Sequence, residues 1–179
     1  HAGHSLVGAQ ADPPVTGRTN AHYAETKAMA ERLAIGAASD ALPVVAIRPH
    51  LVWGPGDTQL VGRIVERARA GRLALVGGGT ALIDTTYIDN AASALVAALD
   101  AAVPGAACVG RAYVIANGEP RPIRELIEGI LHAAGVEATP REVPLRVATG
   151  VGSVVEKLWG RAKPEEEPPL TRFLAEQLG

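Results

Sequence analysis

The sequence predicts an α/β fold, and three observations carry that prediction. Apolar, β-branched segments alternate along the chain with stretches of helical periodicity, the pattern of strands joined by crossover helices. Leu42 to Arg48 runs Leu-Pro-Val-Val-Ala-Ile-Arg between turn signals, which is how a buried strand of a parallel sheet reads. A content of 47% hydrophobic and 20% charged residues in 179 is ordinary for a globular chain with a real core.

Taken in order, residues 1–21 hold Gly3, Gly8, Pro13, Pro14 and Gly17 without periodicity and read as an irregular segment. From Tyr23 to Gly36 every residue but the last suits a helix, with Gly36 as its stop. The strand at 42–48 follows, then a loop from Pro49 to Asp57 broken by Gly54, Pro55 and Gly56. Gln59 to Ala70 predicts a helix on Leu60, Ile64 and Ala68. Arg72–Val76 and Ala81–Tyr87 read as two strands joined by a hairpin turn at Gly77-Gly78-Gly79. Asp89 to Asp100 reads as an Ala-rich helix that Asp89 caps. Ala112–Ala116 is a further strand, Pro122–Ala134 an amphipathic helix ended by Gly135, and the pattern after Pro144 is mostly helical to about Gly160. Lys163–Pro169 is a charged, Pro-rich break before a short helix at Leu170–Leu178.

Composition excludes several classes. Lys plus Arg at 17 against Asp plus Glu at 19 gives a net charge of -2 with no basic stripe, which argues against nucleic acid. The longest apolar run, Ala94 to Leu99, falls far short of the roughly 20 residues a membrane helix needs. Cys108 is the sole cysteine, so neither an internal disulfide nor a cysteine-clustered metal site forms, and a reducing, cytoplasmic setting fits. His1 and His4 have metal-like spacing but no third ligand, so no metal is expected. The glycine triplet is no phosphate loop, because position 82 is Leu and the next segment reads as strand.

The sharpest chemical signal is Tyr23-Ala24-Glu25-Thr26-Lys27. Positions i and i+4 share a helix face, so the spacing brings a phenol beside an ammonium. A phenol alone keeps its proton to a pKa of about 10. A fixed cation nearby favours the phenolate, which then exchanges a proton with an alcohol or carbonyl oxygen near neutral pH. A surface Tyr lying over a Lys is the plain alternative for so short a motif.

The wider context resembles a family. His22 to Glu31, followed by Ile47-Arg48-Pro49-His50-Leu51-Val52-Trp53-Gly54-Pro55-Gly56-Asp57, is similar to extended short-chain dehydrogenases. Thr86-Tyr87-Ile88-Asp89-Asn90 and Tyr113-Val114-Ile115-Ala116-Asn117-Gly118 resemble two later segments of the same family, in the same order. The likeness is greatest to its 3β-hydroxysteroid dehydrogenase branch, which also contains reductases of 2-alkyl-3-oxoalkanoates.

The resemblance implies the C-terminal half of a Rossmann-type, doubly wound parallel sheet plus a small mixed α/β substrate-binding region. The core would comprise residues 1–48 and 84–116, and the substrate region 49–83 and 117–179. It implies an NAD- or NADP-dependent oxidoreductase interconverting a hydroxyl and a keto group on a hydrophobic small molecule. Tyr23 would be the acid/base, with Lys27 biasing its ionisation and binding the nicotinamide ribose. Pro49, Leu51 and Val52 would face the cofactor, and His50, Trp53 and Tyr87 the substrate. A homodimer is the implied assembly.

The family's Gly-rich loop and its catalytic Ser or Thr precede the Tyr by more residues than this sequence supplies, so the chain reads as a fragment, inactive alone. Its missing N-terminal half is then a partner, and apolar sheet and helix faces which that half covers are expected to be exposed. Two alternatives stay open: a nucleotide-sugar epimerase or dehydratase, which uses the same Tyr-Lys pair, and a non-enzymatic sensor or interaction module that kept the fold.

Overall fold

The computed structural model describes residues 22–148 and residue 150. The irregular segment expected at 1–21, the continuation of a helix to Gly160, the break at 163–169 and the final helix at 170–178 lie outside the described residues. The contacts divide the chain into two compact units, His1–Pro55 with Asp84–Glu119, and Gly56–Ile83 with Pro120–Gly179.

In the first unit the helix α1 (His22–Gly36) leads into β1 (Val45–Pro49), with β2 (Val52–Trp53) close behind. The chain re-enters this unit at β5 (Thr86–Tyr87), α3 (Ile88–Ala101) and β6 (Arg111–Ile115). β1 and β6 run parallel, with Val45 opposite Arg111 and Pro49 opposite Ile115. Parallel neighbours need a crossover between them, and α3, which packs on β1, lies in that connection. β2 and β5 form a second parallel pair, Val52 opposite Thr86 and Trp53 opposite Tyr87. The segment Pro49–Asp57 is thus not wholly loop: two of its residues find strand partners more than thirty positions downstream, which local turn signals do not reveal. Ala91 and Ala112 are buried. Much apolar surface stays open, with Leu33 of α1 and Leu99 of α3 each 74% exposed, and Met29, Leu95, Val96 and Val114 also exposed.

The second unit is built on α2 (Val61–Arg69), β3 (Ala74–Val76), β4 (Leu82–Ile83), β7 (Arg121–Pro122), α4 (Ile123–Ala133) and β8 (Arg141–Val143). Ile123, Ile127 and Leu131 fall on one stripe of α4 and bury against Ala68, Leu73 and Leu75. Asp57 anchors the approach to α2, its carboxylate accepting from the N–H groups of Gln59, Leu60 and Val61 at 2.8, 3.0 and 3.0 Å. Burial works to raise its pKa, but the three N–H donors together outweigh that and hold the carboxyl below its ordinary value.

Two local expectations are corrected. Gly77–Gly79 is a tight glycine turn of left-handed backbone, not a hairpin: β3 pairs in parallel with β8 and β4 antiparallel with β7. All three glycines have positive φ, and a Cβ on Gly79 would stand 3.1 Å from side-chain atoms of both Arg124 and Leu75, so the triplet turns the chain and admits close packing. Asp89 does not cap α3; Tyr87 holds the cap position without a side-chain bond, and Asp89 lies in the first turn, where its charge suits the helix dipole.

Candidate active site

Every residue expected at the site falls in the first unit. Tyr23 and Lys27 stand four apart on α1, so the helix places them on one face. Lys27 is exposed; the Tyr23 side chain lies outside the described residues. One turn beyond Lys27 on that face, the Glu31 carboxylate accepts two bonds from Arg48, from Nε at 2.7 Å and Nη2 at 2.6 Å. The Arg48 hydrogen bond lowers the Glu31 pKa; partial burial opposes it and the guanidinium charge adds to it. Arg48 belongs to β1, so this pair joins the helix carrying Tyr23 and Lys27 to the strand that ends at Pro49.

The chain after Pro49 is braced atom by atom. The His50 N–H donates to the Ile115 carbonyl at 2.9 Å and the Thr86 N–H to the Leu51 carbonyl at 3.2 Å. Thr86, fully buried, points its hydroxyl at the carbonyls of His50, 2.5 Å, and Ile115, 3.0 Å. One hydroxyl hydrogen serves both, so the contact is a shared, three-centre bond. Between these ties Leu51 adopts φ 38°, a left-handed conformation that costs about 1–2 kcal/mol outside glycine. It is the one non-glycine positive φ among the described residues. Strain held in place by its surroundings is a mark of functional segments.

Around this loop, His50 Nδ1 hydrogen-bonds the Asp84 carbonyl oxygen. The Asp84 carboxylate accepts from the N–H groups of Gly118 and Glu119 at 3.1 and 3.3 Å. Val52 pairs with Thr86, and Trp53 meets Tyr87 edge to face at 5.3 Å while its Nε1–H donates to Thr85 Oγ1 at 3.0 Å. Asn117 Oδ1 accepts from the Tyr87 N–H at 3.0 Å and from Asn90 Nδ2 at 2.9 Å. The structure therefore brings His50, Trp53 and Tyr87 together with the strained loop at the carboxyl ends of parallel strands, where open α/β sheets bind ligands.

Sequence reasoning missed Glu31, Arg48, Asp84, Thr86 and Asn117 as parts of this arrangement. Glu31 carries a usable signal, since it extends the Tyr23–Lys27 face by one more turn. Thr86 and Asp84 carry none, because their partners lie 29 to 36 positions away in the chain.

The model of the 3-beta hydroxysteroid dehydrogenase/isomerase family matches residues 3–145. Over 178 residues the chain is 51% identical to a 2-alkyl-3-oxoalkanoate reductase of Stenotrophomonas maltophilia (strain K279a), covering 99% of this chain and 54% of that one. A 2-alkyl-3-oxoalkanoate reductase of Shewanella oneidensis is 40% identical over 99% of this chain and 48% of its own length. The chain thus spans about half the length of these curated relatives. Among solved structures, UDP-glucuronic acid 4-epimerase from Bacillus cereus, in complex with UDP-glucuronic acid and NAD, aligns with TM-score 0.62 at 23% identity over 80% of this chain and 44% of that one. That likeness is one of fold, the Rossmann-type α/β architecture.

Proposed function

We propose, from the premise that this chain belongs to the 3-beta hydroxysteroid dehydrogenase/isomerase family, that the protein is an NAD- or NADP-dependent oxidoreductase. It interconverts a hydroxyl and a keto group on a hydrophobic substrate, a 2-alkyl-3-oxoalkanoate or a 3β-hydroxysteroid. The observation that carries this reading is the joining of α1, with Tyr23 and Lys27, to β1 through Glu31 and Arg48, which ties the proton-transfer pair to the braced loop at 49–52.

Apolar Pro49, Leu51 and Val52, on a backbone fixed by Thr86, suit the face of a nicotinamide ring. When bound, the nicotinamide nucleotide accepts or supplies the hydride. This chain's residues move the proton and face the ring and the substrate. Tyr23 takes the proton from the substrate hydroxyl, or returns it to the keto oxygen; Lys27 favours the phenolate and holds the ribose. Trp53 and Tyr87 offer an apolar wall against which an alkyl chain packs.

The exposed apolar side chains of α1 and α3 support a protein partner there. In this reading the nucleotide-binding N-terminal half of the same protein covers part of that surface, a second copy covers more, and the present segment alone is inactive. No described helix is long and apolar enough to cross a membrane, and Cys108 is a free thiol.

In the intact protein Tyr23→Phe is expected to lower turnover by about 10²–10⁴-fold while cofactor binding, followed by nucleotide fluorescence, is retained. Turnover within a few-fold of wild type sinks the assignment.

A further inference from the structure

His50 is fixed in backbone and in ring. Its N–H and carbonyl are tied to Ile115 and Thr86, and its Nδ1 to the carbonyl of Asp84. A carbonyl oxygen only accepts, so Nδ1 carries a hydrogen whether the ring is neutral or charged. Nε2 is therefore the ring nitrogen left to meet a ligand. The Asp84 carboxylate is turned to the Gly118 and Glu119 N–H groups, and the guanidinium two residues before His50, that of Arg48, is engaged by Glu31. An exposed imidazole with one assigned nitrogen thus stands at the carboxyl end of β1, in the ligand position of the sheet.

We infer that His50 is the residue that recognises the substrate's carboxylate, Nε2 and one carboxylate oxygen holding a single proton between them, and so selects a 2-alkyl-3-oxoalkanoate over an uncharged steroid alcohol. The inference deepens the oxidoreductase reading and rests on it for the reacting oxygen. In a 3-oxoalkanoate the carboxylate carbon is two bonds from the keto carbon, so its binding group belongs in the same cleft as the acid/base. His50 stands two residues beyond Arg48, which Glu31 joins to the helix of Tyr23 and Lys27. A charge-assisted bond from a ring that is already oriented discriminates strongly between an anion and its neutral ester.

The test uses the intact protein with NAD+ or NADP+, oxidising 2-hexyl-3-hydroxydecanoate and its methyl ester, in wild type and His50→Gln. The preference for acid over ester, as a ratio of kcat/KM values, is expected to fall about 10- to 100-fold in the variant. A ratio unchanged within about twofold overturns the inference, whatever happens to the absolute rates. Calorimetric titration with 2-hexyldecanoate and its methyl ester, neither of which is oxidised, supplies a readout independent of turnover. Acid-selective binding lost in His50→Gln, with no turnover of either alcohol by wild type, removes the oxidoreductase reading and leaves carboxylate recognition standing. Equal binding of acid and ester by wild type overturns carboxylate recognition.

Discussion

Glu31 and Arg48 form a two-point ion pair, 2.7 and 2.6 Å, between a helix and a strand seventeen residues apart in sequence. With 28% of the Arg48 side chain and 19% of the Glu31 side chain exposed, the pair is only partly screened by solvent. The Glu31 carboxyl has a lowered folded-state pKa, chiefly through its bond to Arg48. Its contribution to stability is therefore fully present above the unfolded value, near 4.5, and is lost as pH falls through the folded value. Glu31→Gln is expected to cost about 1–2 kcal/mol at neutral pH. Urea denaturation across an acid series checks the sign: the gap between wild type and variant closes below that value. A gap that persists unchanged well below it refutes the assignment.

Thr86 offers a second check, because a buried hydroxyl and a methyl are separable. Thr86→Val keeps the shape and strips the donor from the His50 and Ile115 carbonyls, an expected loss of about 1–3 kcal/mol. Thr86→Ser keeps the donor and loses a methyl, at about 0.5–1.5 kcal/mol. Denaturation midpoints should rank wild type, then Ser, then Val. The reverse order of the two variants would show that packing, rather than the shared hydrogen bond, fixes the loop.

Gly54 is required by a neighbour rather than by its φ. A Cβ there would lie 2.4 Å from Ile88 Cγ2 and 2.9 Å from Ile88 Cβ, so Gly54→Ala should destabilise by about 1–3 kcal/mol. Ile88→Ala removes the closer atom, and the double variant is expected to be less destabilised than the sum of the singles. Strict additivity in the denaturation cycle would mean that the two residues do not meet.

The sequence by itself determined whatever depends on near neighbours. The helices α1 and α4, the strand at Val45–Pro49 and the strand at Arg111–Ile115 follow from propensity and periodicity, as does the Tyr23–Lys27 spacing, because each is set within a few residues. Of the candidate site, only the Tyr-Lys spacing is a local reading; the loop from Pro49 to Trp53 is named through the family resemblance, and the residues that hold that loop could not be named. Thr86 reads as one more polar residue at a strand end until the fold sets it under two carbonyls. Leu51 gives no sign of a left-handed backbone. The glycine triplet reads as a hairpin until β8 and β7 arrive to pair with β3 and β4. These features are hydrogen bonds between residues tens of positions apart, and only the tertiary structure chooses such partners, since each backbone donor must find its acceptor across whatever surface the fold brings near.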